Sequence, residues 1–212
     1  MTDKEVRNTI IMMCVQMFIS RKIIDASLRD IVFTELINSE LNNIYKIKLL
    51  PMLDAKQTED GKPIYKHYVI KLFREKLTAI SKSSGMVDFL SEHKSYHKFL
   101  ILKGASQKVV NQITEYENAE LLYEKEMLTN PLEYESQPVY EPFDMDDKEE
   151  LDKFFQEYFC NRAQLEKMDD DNAVGRFLGL KQGQIVRIIR PSEIAGNAIA
   201  YRIVIKHVQI KK

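Results

Sequence analysis

The stretch from Gly175 to Val204, GRFLGLKQGQIVRIIRPSEIAGNAIAYRIV, limits the possible fold more than any other part of this chain. It contains four of the seven glycines, at positions 175, 179, 183 and 196. Glycine is favoured where the backbone turns with positive φ or where another backbone comes close. Two segments rich in β-branched residues, Gln184–Ile189 and Ile199–Ile205, predict strands. Proline cannot donate to a central ladder, so the first strand is predicted to end at Pro191, before a corner and a glycine turn.

Composition places the chain among soluble globular proteins. Its 212 residues can form one large or two small domains, and 44% are hydrophobic and 30% charged. No apolar run approaches the roughly 20 residues that span a bilayer, and the apolar stretch Ile10–Ile19 lacks a signal-peptide cleavage site. The isolated Cys14 and Cys160 fit neither a disulfide framework nor a Cys-x-x-Cys metal site. We therefore expect no membrane partner and a reducing intracellular compartment.

Charge is segregated along the chain. Residues 115–171 contain nineteen Asp or Glu against five Lys or Arg, whereas residues 172–212 contain eight Lys or Arg and the single acid Glu193. Such asymmetry indicates partner surfaces. The simpler alternative is a solvated acidic hinge beside a basic sheet edge.

Periodicity predicts an α/β domain with a mixed sheet in the first part of the chain. Thr2 and Glu5 match a capping box, which predicts a helix at the N-terminus. The further predicted elements are a helix at 28–41, strands at 45–53 and 64–73 around a loop at Ala55–Pro63, a helix interrupted at 81–85 within 74–90, a strand at 99–102 and a helix at 106–116.

A second, smaller domain is predicted at the C-terminal end. Residues 119–140 interrupt the pattern with Pro131 and Pro138 among acids and tyrosines, which is typical of an inter-domain link. A helix capped by Asp146 or Asp147 is then predicted to reach about Asn161, before a turn at 169–171. The prediction is an α+β protein with a domain at 1–134, a linker at 135–146 and a small α/β domain with a short mixed sheet at 147–212.

Two patterns resemble metal chemistry. His93 and His97 have the i, i+4 spacing with which a helix presents two imidazoles to zinc, but the sequence offers no third ligand. Glu92 and Lys94, downstream of acids at 54 and 60, loosely match metal-dependent nucleases. Many charged sequences contain such a pattern, so ordinary surface residues are the favoured interpretation. Phosphate-binding loops and nucleophile elbows are missing from the sequence, so we predict no metal, cofactor, small-molecule ligand or catalysis.

The basic residues of the tail favour a protein partner. Lys181 and Arg187 could meet phosphates, but no aromatic residues alternate with them as a single-strand binder would require. Arg190 and Glu193 flank a tight corner, where they could simply pair with each other. Arginine also binds carboxylates at protein interfaces in a bidentate manner. We therefore predict protein docking by this surface.

The nearly continuous run G-R-F-L-G-L-K-Q-G-Q-I-V-R-I-I-R-P-S-E-x-A-G-x-x-I-x-Y-R-I-V resembles one polymerase family. The family is the fifth-largest subunit shared by the eukaryotic nuclear RNA polymerases, whose C-terminal domain corresponds to a small subunit of the archaeal polymerase. The resemblance implies a C-terminal domain that docks onto the largest polymerase subunit. The assembly residues that it implies are Gly175, Arg176, Gly179, Lys181, Gly183, Gln184, Arg190, Pro191, Ser192, Glu193, Gly196, Tyr201 and Arg202.

The resemblance also implies a role for the N-terminal domain, as a jaw beside downstream duplex DNA. The jaw loop would be GASQK at 104–108, where charge and helix N-terminal amides would meet phosphate through Lys103, Ser106, Gln107 and Lys108. An ordinary strand-to-helix turn is the alternative for this loop. This half diverges from the family while the assembly half matches, which indicates a large-DNA-virus or protist homologue.

The predicted function is that of a non-catalytic structural subunit of a multisubunit DNA-directed RNA polymerase. Its expected location is the nucleus, or a cytoplasmic viral factory and the virion if the protein is viral. Two alternatives remain open at this point: a stand-alone nucleic-acid-binding protein and a metal-dependent nuclease.

Overall fold

Two folded units divide the chain, Met1–Thr129 and Asn130–Lys212. The structure, a computed structural model, describes residues 2–49, 66–79, 85–116, 118–133, 138–145, 147–192, 194 and 196–206. Each unit combines helices with a mixed four-stranded sheet, so the predicted α+β fold is confirmed. The loop predicted at 55–63 lies outside the described residues.

The first unit is an α/β unit whose sheet has the order β1-β2-β3-β4. Strands β1 and β2 are antiparallel, while β2, β3 and β4 run parallel. The elements are α1 (Asp3–Ser20), a 3-10 turn (Ala26–Leu28), α2 (Arg29–Asn38), β1 (Ile44–Leu49), β2 (Lys66–Phe73), α3 (Met86–Glu92), β3 (His97–Leu102), α4 (Gln107–Thr114), β4 (Ala119–Tyr123) and a second 3-10 turn (Glu126–Leu128).

Side chains bury both faces of this sheet. On one face, Phe89 of α3 and Val109 of α4 belong to one apolar cluster with Leu100 of β3. On the other face, the Phe18 ring of α1 lies against Phe99, with ring centroids 5.6 Å apart. A strand covered on both faces needs apolar residues at successive positions, which explains the unbroken run FLIL in β3.

Two predictions for this unit are wrong. Residues 74–79 do not extend a helix to residue 90, because Leu77 is buried and forms a parallel bridge with Ala105. The helix α3 starts only after Gly85, whose φ is +63°. Residues 119–123, predicted as part of the inter-domain link, form β4 beside β3. Their acidic surroundings masked a short parallel strand that has a single buried side chain, Leu122.

The second unit is a small sheet with a helix on each face. Its sheet order is β5-β7-β8-β6; β7 pairs antiparallel with both β5 and β8, and β6 is parallel to β8. Helix α5 packs on Ile185 through Phe154, and Leu178 of α6 packs on the cluster that contains Val186. The elements are β5 (Val139–Pro142), α5 (Lys148–Glu157), β6 (Glu166–Asp169), α6 (Ala173–Leu178), β7 (Ile185–Ser192) and β8 (Gly196–Ile205).

The boundary between the units differs from the predicted one. The chain divides between Thr129 and Asn130, before the predicted domain end at residue 134. The predicted linker, 135–146, contains β5, which is an edge strand of the second sheet. The helix cap is confirmed, since the Asp147 side chain accepts a hydrogen bond from the backbone N–H of Glu150. Strand β6 was not predicted, because its sequence EKMD has one apolar residue.

A half-buried ionic cluster fastens the end of α1 to β3 and β4. Glu120 of β4 receives the Arg21 guanidinium at 2.8 Å and lies 2.6 Å from Nε2 of His97. Burial alone would raise the pKa of Glu120, but the charge of Arg21 and the His97 hydrogen bond outweigh it and lower the pKa from 4.5 to about 2. This carboxylate therefore stabilises the fold while it is ionised.

Replacing Glu120 by glutamine should lower the free energy of unfolding by about 3 kcal/mol near neutral pH, because the pKa of Glu120 falls from 4.5 to about 2 and each pKa unit corresponds to about 1.4 kcal/mol. The lowered pKa makes the contribution fully present above about pH 4.5 and lost as the pH falls toward 2. Urea denaturation followed by circular dichroism at pH 7 and pH 3 measures it. The control is Glu35→Gln on exposed α2 surface, which should change stability by less than about 0.5 kcal/mol. An equal effect of both substitutions at pH 7 would contradict the role of the cluster.

Candidate protein-docking surface

The residues of the predicted assembly motif lie in four neighbouring places of the second unit. Gly175 and Arg176 belong to α6, which Gly179 ends with φ +66°. Lys181, Gly183 and Gln184 form the turn that leads into β7. Arg190, Pro191, Ser192 and Gly196 lie at the far end of the β7–β8 hairpin, and Tyr201 and Arg202 lie in β8. Glu193 lies outside the described residues.

The turn before β7 has a structural role that requires glycine. The N–H of Gln184 donates to the carbonyl of Lys181 at 3.0 Å, and Gly183 at the third turn position has φ +83°. A type II turn needs a positive φ at this position. The backbone N–H of Gly183 also donates to the carbonyl of Val204 at 2.8 Å. The side-chain amide of Gln184 donates to the carbonyl of Phe143 at 3.0 Å. This turn holds the start of β7 against β8 and against the segment that follows β5.

The prediction that Pro191 ends β7 is wrong, because the strand continues to Ser192. Pro191 lies opposite Asn197, and Ser192 lies opposite Gly196, whose φ is +70°. Strand β5 pairs with β7 only as far as Ile189. Among the described residues, Pro191 therefore has a paired strand on one side only, and such an edge position tolerates proline. In the described part of the sheet, the end of the hairpin is a two-stranded ribbon.

Several basic residues of this unit already have acidic or carbonyl partners. Arg202 Nε donates to Glu166 at 3.1 Å, and Arg187 Nη1 donates to Glu141 at 3.2 Å. The Arg176 guanidinium donates to the carbonyl of Asp171. Lys181 and Arg190 are exposed. They are therefore better placed than Arg202 or Arg187 to meet carboxylates of a partner.

Tyr201 joins the sheet to the end of α5. Its hydroxyl lies 3.0 Å from the hydroxyl of Tyr158, and its ring packs on Phe154 with centroids 4.8 Å apart. Burial, followed by the hydrogen bond to Tyr158, raises the pKa of Tyr201. Tyr158 and Arg187 border the motif but are not among the assembly residues that the resemblance implies, although Arg187 is one of the basic residues of this surface from which protein docking is predicted. The alternation of β7 and the apolar stripe of α5 were the available signals, because each places its residue beside Tyr201.

The predicted DNA-proximal residues lie where β3 leads into α4. Ser106 is the N-cap of α4, where its side chain accepts from Val109 N–H and its hydroxyl donates to the carbonyl of Thr78 at 2.8 Å. Gln107 and Lys108, in the first turn of α4, are exposed. Lys103 is also exposed and lines a cavity of about 200 Å³ together with Arg7 and Arg74. The loop is thus a capped strand-to-helix turn with lysines at both ends.

The two histidines have separate protein partners. His93 is buried, and its Nδ1 lies 3.0 Å from the carbonyl of Phe89, whereas His97 pairs with Glu120. Among the described residues, no group of three His, Cys, Asp or Glu side chains could hold a metal ion. The buried Lys98 donates to the carbonyls of His93 and Tyr96, at 3.2 and 2.9 Å. This cation satisfies carbonyl groups at the end of α3.

The remaining candidates for the nuclease pattern are partly outside the structure. Glu92 and Lys94 are exposed at the end of α3. Asp54 and Asp60 lie outside the described residues.

No helix in the described part of the chain combines the length and apolar character required to cross a bilayer.

Comparison with known proteins gives consistent matches. Residues 129–204 match the family described as RNA polymerase Rpb5, C-terminal domain. The chain is 33% identical over 138 residues to DNA-directed RNA polymerase subunit 5 of Acanthamoeba polyphaga mimivirus, which covers 65% of each chain. It is 43% identical over 61 residues to subunit Rpo5 of Methanocaldococcus jannaschii, covering 29% of this chain and 78% of the archaeal one.

A nematode relative matches over a similar region. The chain is 38% identical over 82 residues to subunit RPABC1 of DNA-directed RNA polymerases I, II and III from Caenorhabditis elegans, covering 39% of this chain and 37% of the relative. The matches thus span less than two thirds of the mimivirus and nematode subunits. The second unit is an Rpb5-type C-terminal domain. The chain belongs to the RNA polymerase subunit 5 family, which includes the archaeal subunit Rpo5.

The expected resemblance is confirmed, including its similarity to a subunit of a large DNA virus. The roles of the individual motif residues stay predictions, because the structure contains this chain alone.

Proposed function

We propose that this protein is a non-catalytic structural subunit of a multisubunit DNA-directed RNA polymerase, which assembles with the largest subunit through its second unit. One observation carries the proposal: the family match at residues 129–204 coincides with the folded unit 130–212. The match covers nearly all of a complete folded unit of this chain. This supports docking of that unit onto the largest polymerase subunit. The other polymerase subunits are further partners.

The construction of the second unit supports assembly. The turn at Gly183 and the N-caps of α5 and α6 are stabilised by hydrogen bonds inside the unit, and they position the sheet and its two helices. The hairpin end leaves Arg190 exposed, and Lys181 is exposed before β7. Arginine can hold a partner carboxylate through two parallel hydrogen bonds. In this proposal the family glycines shape the surface, and the exposed residues of the hairpin contact the partner.

The first unit would form the jaw beside downstream duplex DNA. Lys103 and Lys108 are exposed at either side of the turn into α4, and the amides at the start of α4 add partial positive charge. Such contacts to phosphate are independent of base sequence. The magnesium ions of RNA synthesis would be held by other chains of the polymerase. The location would be the nucleus, or a cytoplasmic viral factory and the virion for a viral polymerase.

The two alternative functions receive less support. A stand-alone nucleic-acid-binding protein would bind DNA strongly as an isolated chain, yet the formal net charge is only −1. For the nuclease, only Glu92 and Lys94 of the pattern lie among the described residues. The buried Lys98 donates hydrogen bonds to the carbonyls of His93 and Lys94, which gives this segment a structural role. Magnesium-dependent DNA cleavage that disappears in Glu92→Ala would support the nuclease instead.

The tagged full-length chain, expressed in its native cells or infected host, should recover the largest polymerase subunit and further polymerase subunits. Gly196→Val should reduce this recovery, because valine at φ +70° is strained and distorts the hairpin end. Gly104→Ala is the control, since its φ is outside the left-handed region and its closest neighbour is the flexible Lys76 side chain at 3.3 Å. Mass spectrometry of the purified material measures both. Wild-type protein without polymerase subunits would refute the proposal.

For the jaw, the double substitution Lys103→Ala and Lys108→Ala should weaken binding of downstream duplex DNA by the assembled polymerase. Affinity falls as salt rises, and each lost phosphate contact makes the slope of log affinity against log salt shallower by about 0.9. Fluorescence anisotropy at several salt concentrations measures the slope. Lys46→Ala, an exposed lysine of β1, is the control. An unchanged slope in the double variant would remove these lysines from the DNA contact.

A further inference from the structure

A row of apolar side chains crosses the second sheet where no helix of the described chain covers it. Val139 of β5 lies directly opposite Ile189 of β7, and Ile189 lies directly opposite Ile199 of β8. Residues directly opposite each other point to the same face of a sheet. Val139 is 57% exposed and Ile199 is 48% exposed. These three residues are called the apolar row.

Helix α5 covers the same face but ends beside the row. Ile185 and Tyr201, which α5 covers through Phe154, lie at even spacing from Ile189 and Ile199 and therefore on the same face. The helix ends at Glu157, and the hydroxyl of the next residue, Tyr158, meets Tyr201. The apolar row lies two residues further along the strands.

The opposite face of the sheet shows how such a position is normally covered. Ile188, the neighbour of Ile189 in β7, points to that face and is 1% exposed in the cluster with Leu178 of α6. Adjacent positions of one strand thus differ because, among the described residues, a helix covers one face at this level and none covers the other. Contiguous exposed apolar patches of a few hundred Å² are often functional, whereas single exposed apolar residues are ordinary.

We propose that an amphipathic helix of another polymerase subunit packs on the apolar row, beside the end of α5. Neighbouring strands are about 4.8 Å apart, so three strands span about 10 Å, the diameter of a helix with its side chains. The inference rests on the proposed function and specifies its contact. The row lies between Tyr201 and Pro191, two motif residues on the same face, so it continues the surface that the family resemblance implies.

The size of the row favours a subunit over a second copy of this chain. The exposed parts of the row and of Tyr158 amount to a few hundred Å², whereas a stable dimer buries about 800 Å² on each partner. A subunit that also contacts Arg190 and the hairpin end adds the missing area. The exposed Glu157 ends α5 directly before Tyr158, whose hydroxyl meets that of Tyr201 at this border of the row. The docking helix is accordingly expected to carry a lysine or arginine on the side toward α5.

The test compares recovery of polymerase subunits by tagged full-length variants. Ile199→Glu and Val139→Glu place a carboxylate on the row in two different strands, and each should lower recovery at least about tenfold. Ile31→Glu is the matched control, since Ile31 is 57% exposed on α2 of the first unit, and its recovery should equal that of the wild type. Circular dichroism verifies the fold, and if Ile199→Glu unfolds, Val139→Glu decides.

The outcomes separate the two proposals. If both row variants fold and still recover polymerase subunits at the wild-type level, the apolar row is overturned as a docking site. The proposed subunit function is then left intact. Wild-type protein that recovers no polymerase subunit overturns both. The purified chain could also sediment as a dimer, and Ile199→Glu could convert this dimer to a monomer. That result overturns the assignment of the row to another subunit.

Discussion

The second unit depends on the antiparallel pairing of β7 with β8. The register runs from Ile185 opposite Ile203 to Ser192 opposite Gly196, and the two outer strands, β5 and β6, each attach to one member of this pair. Because the register fixes which side chains share a face, it also decides what α5 and α6 cover. Gly183 at one end and Gly196 at the other allow the chain to enter and reverse with positive φ.

The same pairing separates structural residues from exposed ones within the tail. Gly175, Gly183 and Gln184 take part in contacts inside the unit, and Arg202 pairs with Glu166. Beyond Ile189 the described residues of β5 no longer pair with β7, and Arg190, Pro191 and Asn197 are exposed. A surface of this kind fits a subunit that is held by a larger partner, with a rigid base and an extended ribbon.

The sequence predicted those features that local chemistry determines. The capping box of α1, the Asp147 cap and the positive φ of Gly183 and Gly196 follow from residue type and spacing, and the structure has each of them. The polymerase family was recognised from the tail because its glycines, Pro191 and arginines occur in a fixed order. Such signals act within a few residues of the chain.

What the sequence could not predict depends on distant partners. Strand β4 exists because β3 provides a neighbour 21 residues away in sequence, at the pair Lys98 and Ala119. Pro191 remains in β7, where it pairs with Asn197 of β8, and the described pairs of β5 with β7 end at Ile189, which no local rule reveals. The apolar row is likewise visible only in register, since Val139, Ile189 and Ile199 come from three separate segments. Exposure of these side chains depends on where α5 ends.

Hydrogen–deuterium exchange of the full-length chain, alone and within the assembled polymerase, tests the central claim most directly. Docking of another subunit excludes water from the surface it covers and reduces local opening. The account predicts that assembly slows exchange in peptides from the β7–β8 hairpin, residues 185–205, while α2, residues 29–38, exchanges at the same rate in both states. Equal exchange of the hairpin in the free and assembled protein would contradict the claim that this unit attaches the chain to the polymerase.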